Sequence, residues 1–155
     1  MAKKIKLEHL YNYDDLNIIG INASMPDYQL IWHLNNTLAY NLIKKEDFIF
    51  EMLKTAEKLP FSYYQYHDLN NNKWVYLLSN KSLNKNLITE YRSFNFLLII
   101  KGMAADTLVA DMSSQLKSIK NVIMTSKLDL KKIKNLDVIF NDFELFTIEI
   151  NKKKK

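Results

Sequence analysis

Apolar residues recur at two spacings along the chain, and these spacings predict a mixture of strands and helices. The apolar run from Asn17 to Ile21 predicts a first strand. The segment from Ser24 to Asp27 has the Ser-x-x-Asp form of a capping box with a proline in the first turn, so a helix is expected to begin there. Apolar residues three or four positions apart then predict one broad helical face that packs on a sheet and ends near Leu42, formed by Tyr28, Ile31, Leu34, Leu38 and Leu42 with Trp32 and Ala39 beside them.

The middle of the chain is rich in predicted strands. Alternating residues from Phe48 to Leu53, followed by the segments from Phe61 to Tyr66 and from Trp74 to Leu78, predict a three-strand meander. The segment from Phe94 to Ile100 is apolar at odd and even positions alike, which is typical of a central strand covered on both faces. Gly102 is expected to end that strand.

The last third of the chain predicts one more helix and two more strands. Apolar residues at helical spacing extend from Ala104 to Ile119, and a strand from Val122 to Thr125 follows. Aromatic and β-branched residues dominate from Val138 to Ile150, which predicts a C-terminal strand. We therefore expect an α+β fold, a mostly antiparallel sheet of five to seven strands with two main helices packed on one face, as a single domain over residues 1–150 with a disordered lysine tail at 151–155.

Length and composition fit one domain in a reducing compartment. A chain of 155 residues with 48% hydrophobic content can bury a single core. The absence of cysteine excludes disulfides, thiolate chemistry and the common zinc frameworks. The N-terminus has no apolar run of signal length, and the longest apolar stretch, Phe96 to Ile100, is too short to span a bilayer. We therefore predict a cytoplasmic protein with no membrane contact.

The positive charge of the chain is concentrated at its end. The formal net charge is +5, and four of these charges belong to the lysines at positions 152–155. A lysine tail can contact phosphates through counterion release, yet such tails also serve as plain solubilising ends. Because the rest of the chain is close to neutral, composition favours the solubilising role, and binding of nucleic acid is only weakly supported.

Patterns that carry catalytic or metal chemistry are missing from the sequence. His9, His33 and His67 lie far apart, with no i, i+4 pair and no acidic neighbour at ligand spacing. The chain has two glycines and no G-x-S-x-G or glycine-rich phosphate loop. We expect no metal, no cofactor and no catalytic residue.

The densest aromatic group lies in the predicted middle strands and consists of Tyr63, Tyr64, Tyr66, Trp74 and Tyr76. On paired strands Tyr64 and Tyr66 share one face, and Tyr63 takes the other. Exposed rings beside Lys73 could stack bases or line a pocket. The alternative is a cross-strand ladder whose rings cover the core and whose hydroxyls reach water, and the preference of aromatic residues for strands favours it.

One segment resembles the signature of a known family. Between Leu87 and Gly102, the spacing I-x-E-x-x-x-F-N-F is formed by Ile88, Glu90, Phe94, Asn95 and Phe96. This spacing resembles the I-P-E-x-x-x-V-D-Y signature of the IPExxxVDY family, a bacterial family with no assigned activity. The segment from Asp27 to Asn35 is similar to the D-Y-x-L-x-W-x-I/L-N helix of that family, and the layout is similar from Leu16 to Lys134. The resemblance implies a lineage and a fold but no reaction.

The signature segment departs from the family pattern at four positions, where Thr89 replaces Pro, Phe94 replaces Val, Asn95 replaces Asp and Phe96 replaces Tyr. An amide cannot ionise, so Asn95 cannot act as a general base or a metal-bound carboxylate. It can still accept a hydrogen bond, as a structural Asp in a turn or strand end does. We interpret this position as structural.

Glu90 and Arg92 are the pair that stands out within the segment. They lie two residues apart in a connection that leads into a strand, so they point the same way if the connection is extended. One hypothesis is that the carboxylate and guanidinium present a recognition surface. The other is that Glu90 accepts backbone N–H bonds that fix the turn. The candidate interaction or structural motif is therefore Ile88, Glu90, Arg92, Phe94, Asn95 and Phe96.

The sequence favours a non-catalytic cytosolic protein-interaction module, with a protein partner or a second copy of the chain bound through the Glu90 segment and the aromatic strands. The alternative is an RNA- or ribosome-associated accessory protein, in which Lys3, Lys4, Lys131, Lys132, Lys134 and the lysine tail contact phosphates. An enzyme ranks third, because no nucleophile, base and orienting group can be placed together from the sequence.

Overall fold

A six-stranded antiparallel sheet is the centre of the computed structural model, which describes residues 15–102 and 106–153. The strands are β1 (Leu16–Ala23), β2 (Ile43–Lys44), β3 (Phe48–Glu51), β4 (Lys58–Phe61), β5 (Tyr63–Asp68), β6 (Lys73–Ser79), β7 (Lys81–Ser82), β8 (Lys85–Asn86), β9 (Phe96–Lys101) and β10 (Val122–Lys127). The helices are α1 (Asp27–Leu38), α2 (Asp106–Lys117) and α3 (Leu136–Lys153), with 3₁₀ turns at Thr89–Tyr91 and Leu130–Lys132. The predicted α+β class with a largely antiparallel sheet is confirmed.

Strand β9 occupies the middle of the sheet. The order across the sheet is β10-β1-β9-β6-β5-β2, so β9 pairs with β1 on one side and β6 on the other. Because side chains alternate along a strand, Leu97 and Ile99 face one layer, and Phe96, Leu98 and Ile100 face the other. Helices α1 and α2 cover the second face, while α3 covers the first. The prediction of a central strand buried on both faces is confirmed.

The C-terminal strand predicted from Val138 to Ile150 is wrong, since this segment belongs to helix α3. The buried residues of the helix recur at helical spacing: Leu136, Ile139, Phe140, Phe143, Thr147 and Ile150. The strand propensity of single residues contributes less free energy than the burial of a continuous helical stripe against a sheet. The fold therefore has helices on both faces of the sheet rather than on one. Residues 151–153 of the predicted tail are part of this helix, and Lys154 and Lys155 lie outside the described residues.

Helix α1 differs from its prediction at both ends. Its N-cap is Pro26 without a side-chain cap bond, and the N–H of Ser24 donates to the carbonyl of Asn121 at 2.7 Å, so the predicted capping box does not form. The helix ends at Leu38, because Ala39 has a left-handed φ of 58°. Leu42 still reaches the core, held by two hydrogen bonds between its backbone and the Asn35 side chain.

The outer surface of α1 carries two rings that were predicted to pack on the sheet. Tyr28 is 65% exposed and Trp32 is 63% exposed, so the apolar face is narrower than the sequence pattern indicated. Leu30, Ile31 and Leu34 form the buried stripe of this helix.

The predicted three-strand meander is divided between two sheets. Strands β5 and β6 are neighbours in the main sheet, but β3 pairs with β4 in a separate hairpin. Pro60 in β4 has no N–H to donate, which confines this strand to a sheet edge. Phe48, Phe50 and Phe61 of the hairpin pack into the core on the α3 side.

Among the helices of residues 15–102 and 106–153, none has both the length and the apolar character needed to cross a membrane. The cytoplasmic location stays a prediction.

Candidate functional site

The segment between β8 and β9 is held by the side chain of Asn80, which is fully buried. Its Oδ1 accepts the N–H of Ile88 at 2.7 Å. Its Nδ2 donates to three carbonyl oxygens, at 3.4 Å to Ile88, 3.2 Å to Tyr91 and 2.9 Å to Phe94. One amide thus satisfies four backbone groups of a connection that lacks regular strand pairing. The sequence suggested that Glu90 accepts backbone N–H bonds in this turn. In the structure, the Asn80 side chain accepts such a bond, from Ile88.

Asn95 connects the same segment to the end of β1, where the strand is irregular. The β1–β10 pairing shifts register between Asn22 and Ala23. There the Asn95 side chain accepts the N–H of Ala23 at 3.0 Å and donates to its carbonyl at 2.8 Å. An Asp at this position would lose the second bond, because a carboxylate has no N–H to donate. The amide therefore fits this site better than the acid.

Three other residues of the candidate motif are core side chains. Ile88 and Phe94 pack into the layer beneath α3, and Phe96 packs into the layer beneath α1 and α2. Phe94 lies directly over Gly20 of β1, where an added Cβ would be only 2.6 Å from the Phe94 Cγ. The aromatic side chain thus occupies the space that the glycine leaves.

Glu90 and Arg92 are the exposed members of the motif. The segment is a 3₁₀ turn from Thr89 to Tyr91 rather than the extended connection that the sequence suggested. Both side chains nevertheless line the same feature, a cleft of about 450 Å³. We call it the Arg92 cleft, and its walls come from the β3–β4 hairpin, the β7–β8 hairpin, the 3₁₀ turn and the start of α3.

The lower part of the Arg92 cleft is apolar. Phe50, Leu87 and Ile139 line it with buried side chains, and Met52 is half-buried. Leu53 also lines the cleft and is 54% exposed, so it stands at the opening. These residues come from β3, the segment after β8, and α3, which are far apart in the sequence. An apolar floor with a polar rim is the usual construction of a binding cleft.

The rim of the cleft carries three cations and one anion: Lys54, Lys85, Arg92 and Glu90. Lys85 is also within 3.7 Å of Glu57, an exposed pair that contributes little to stability. Arg92 is the one arginine of the chain, against 21 lysines.

Tyr91 fixes the turn that carries Glu90 and Arg92. Its hydroxyl donates to the carbonyl of Asp129 at 3.1 Å and accepts the N–H of the same residue at 3.0 Å. These bonds connect the turn to the exposed lysines 131 and 132 of the second 3₁₀ turn. The turn that carries Glu90 and Arg92 is thus bonded to the segment in which these lysines follow Asp129.

The aromatic strands form a ladder that belongs to the core. Tyr63, Tyr64 and Tyr76 are buried, and Tyr64 faces the layer opposite to Tyr63 as predicted. His67 stacks on Trp74 with ring centroids 4.0 Å apart and planes 4° apart. The Tyr63 hydroxyl donates to Gln65 Oε1 at 2.6 Å rather than reaching water, and Gln65 in turn contacts Asn151 of α3. Little of this group is available for stacking bases.

Alkaline pH is expected to destabilise the fold through these buried tyrosines. Burial is the main cause that raises the pKa of Tyr63, and the neighbouring Tyr76 is the second cause. Burial is also the main cause that raises the pKa of Tyr76, and Glu144 is the second. Above the ordinary pKa of about 10 the unfolded chain releases both protons while the native state keeps them, so stability that is complete below pH 10 falls as the pH rises. Each tyrosine contributes a slope that approaches about 1.4 kcal/mol per pH unit above pH 10, which amounts to about 1.4 kcal/mol in total between about pH 9 and about pH 11.

Urea unfolding between about pH 9 and about pH 11 measures this slope, and Tyr63→Phe should reduce it by the share of one tyrosine. Tyr28→Phe alters an exposed ring and is the matched control. Equal slopes in the Tyr63→Phe variant and the wild type would contradict the assignment of the effect to Tyr63.

Metal chemistry has no evident position in the parts of the chain that the structure describes. There, no group of three or more His, Asp or Glu side chains is placed to hold an ion. His33 contacts Trp32, His67 stacks on Trp74, and His9 lies outside the described residues.

Comparison with known proteins adds no relative to this picture. The chain matches no protein-family model and no curated protein. The resemblance to the IPExxxVDY family therefore stays a prediction, and the Arg92 cleft is assigned from its own residues.

Proposed function

We propose that the protein is a non-catalytic interaction module that binds a protein partner at the Arg92 cleft. The cleft combines an apolar floor with a charged rim, and its walls are fixed by the buried amide of Asn80 and by the two bonds between Tyr91 and Asp129. A preformed site of this kind binds without a large cost of ordering.

The observation that carries the proposal is the side chain of Leu83. It lies at the tip of the β7–β8 hairpin, next to Asn84, which lines the cleft. Leu83 is 74% exposed and has a φ of 46°, a backbone conformation that favours glycine and asparagine. Of the described non-glycine residues with positive φ, Leu83 alone has a large apolar side chain. Exposure and backbone strain both disfavour leucine here, which supports a role in contact with a partner.

The composition of the cleft favours binding over catalysis. Among the described residues, the lining contains no histidine, and Glu90 is the one carboxylate. A nucleophile, a base and an orienting group are therefore not assembled at this site. Leu53 at the opening and Leu83 at the tip of the adjacent hairpin are both exposed, as expected for a surface that a second protein covers.

RNA or ribosome binding is the second candidate, favoured by the exposed lysines at 131, 132 and 134 beside the turn that carries Arg92. Lys3, Lys4 and the last two lysines lie outside the described residues. The candidate ranks second because the aromatic rings of β5 and β6 are largely buried. In addition, the negative charge of Glu90 in the rim would repel the phosphates of a nucleic acid. Binding that nuclease abolishes and that weakens steeply with salt would favour it.

Leu83→Asn is expected to separate binding from stability. Asparagine is preferred at the first central position of a two-residue hairpin turn with positive φ, so the free energy of unfolding should rise by about 0.5–1 kcal/mol. Loss of the exposed leucine should at the same time reduce recovery of protein partners several-fold. The measurement is urea unfolding together with quantitative recovery of partners by the tagged protein from nuclease-treated extract of its own cells.

Leu69→Asn is the control for this prediction, because Leu69 is 78% exposed in the β5–β6 turn, which is a different hairpin from the one that borders the cleft. It should leave partner recovery unchanged. Equal partner recovery by the Leu83→Asn variant and the wild type would remove Leu83 from the binding surface and with it the main support for the proposal.

A further inference from the structure

We infer that the Arg92 cleft recognises an acidic segment of the partner, with a carboxylate on the Arg92 guanidinium and a neighbouring apolar side chain on the cleft floor. The inference rests on the proposed function and names the chemistry of the partner.

Arg92 is the group that selects a carboxylate. The chain uses lysine at 21 of its 22 basic positions, and the single guanidinium stands in the cleft. A guanidinium offers a planar fork of N–H donors that binds both oxygens of a carboxylate, whereas an ammonium acts as a point charge. Its exposed side chain makes no hydrogen bond or ion pair within residues 15–102 and 106–153, so its donors are open to a ligand.

The charges around Arg92 agree with an acidic ligand. Lys54 and Lys85 line the same cleft, Lys85 lies within 3.7 Å of Glu57, and Glu90 is the one anion among the described lining residues, so Lys54 and Arg92 outnumber it. The bonds between Tyr91 and Asp129 connect the lysine-bearing turn at 130–132 to this rim. The rim therefore has a positive balance that attracts and orients acidic sequences.

The floor of the cleft favours a peptide over a nucleic acid. Met52, Leu53 and Ile139 are aliphatic, and Phe50 is buried, so the opening lacks an exposed aromatic ring on which a base could stack. The volume of about 450 Å³ is in the range of small-ligand sites and accommodates a few side chains of an extended segment. An acidic residue beside a leucine, methionine or phenylalanine matches both parts of the site.

The test is selection of binders from a random phage-displayed peptide library on the full-length wild-type protein. Selected peptides should be enriched in Asp or Glu next to a large apolar residue. Their synthetic forms should bind Arg92→Ala at least about 10-fold more weakly than wild type, and Arg92→Lys about 5-fold more weakly, as measured by fluorescence anisotropy. Lys117→Ala, an exposed charge on α2 across the sheet, should change the affinity less than about 2-fold.

The outcomes separate the inference from the proposed function. Selected peptides that bind in a Leu83-dependent way but lack acidic residues, or that bind Arg92→Lys as well as wild type, would overturn the acidic partner and leave the interaction module in place. Failure to select any peptide would also overturn the acidic partner. Affinity for a labelled single-stranded RNA that falls in Arg92→Ala would overturn it too, and would favour nucleic acid as the ligand. Because Arg92 is exposed, matching urea midpoints of all variants confirm that only the surface has changed.

Discussion

Replacing Asn80 with alanine is expected to lower the free energy of unfolding by about 4 kcal/mol. The side chain is fully buried and serves one N–H and three carbonyl groups of the segment from Ile88 to Phe94. Alanine would remove the partner of the buried Ile88 N–H and of the buried Phe94 carbonyl, while the carbonyls of Ile88 and Tyr91 would keep the N–H groups of Tyr91 and Phe94. Urea unfolding followed by circular dichroism measures the change.

The matched control for this prediction is Asn86→Ala in the adjacent hairpin. Asn86 is half-buried and makes one long bond of 3.4 Å to the carbonyl of Asn80, so its loss should cost less than about 1 kcal/mol. Hydrogen exchange at Ile88 is a second readout, since Asn80 Oδ1 accepts that N–H. A loss below about 1.5 kcal/mol in Asn80→Ala, with slow exchange retained at Ile88, would show that other groups hold the segment.

Gly20→Ala is expected to lower stability by about 3 kcal/mol, even though alanine is intrinsically better than glycine in a strand by about 0.5–1 kcal/mol. A Cβ at position 20 would lie 2.6 Å from Phe94 Cγ and within 2.9 Å of both adjacent ring carbons. Because Cγ is close to the Phe94 backbone, rotation of the ring does not relieve the clash. Thermal and urea unfolding of the variant measure the loss.

The clash can be isolated by a double-mutant cycle with Phe94→Ala. That change alone costs about 3–5 kcal/mol, because it empties a buried site. In this background Gly20→Ala should be neutral or stabilising, since the ring is gone and the backbone preference remains. An equal cost of Gly20→Ala with and without the ring would assign the loss to the strand itself rather than to Phe94.

Periodicity predicted most of the sheet and two helices. The run from Phe94 to Ile100 is apolar at odd and even positions alike apart from Asn95, which is typical of a strand covered on both faces. The error in α3 has an equally physical cause. Its Phe, Ile and Thr residues each favour strands. The burial of Ile139, Phe143 and Ile150 on one stripe nevertheless stabilises a helix.

Only part of the candidate site could be predicted from the sequence. Glu90 and Arg92 stood out within one short motif, but the floor beneath them comes from β3 and α3, and their meeting depends on a helix that was predicted as a strand. Asn80 is one of several asparagines in a polar stretch, and nothing in the local pattern distinguishes it from Asn84 or Asn86. Its bonds span 8 to 14 positions and follow from the folded path of the chain.

A cysteine placed in the Arg92 cleft tests the central claim most directly, because the chain has no cysteine of its own. Thr89→Cys lines the cleft, and Ser114→Cys on the exposed surface of α2 is the control, each labelled with a short photocrosslinker. We predict a protein adduct in nuclease-treated extract from Thr89→Cys and none from Ser114→Cys. Excess unlabelled wild type should abolish the adduct, and excess Arg92→Ala protein should not. Equal labelling from both positions, or no adduct at Thr89→Cys, would contradict a partner site at the cleft.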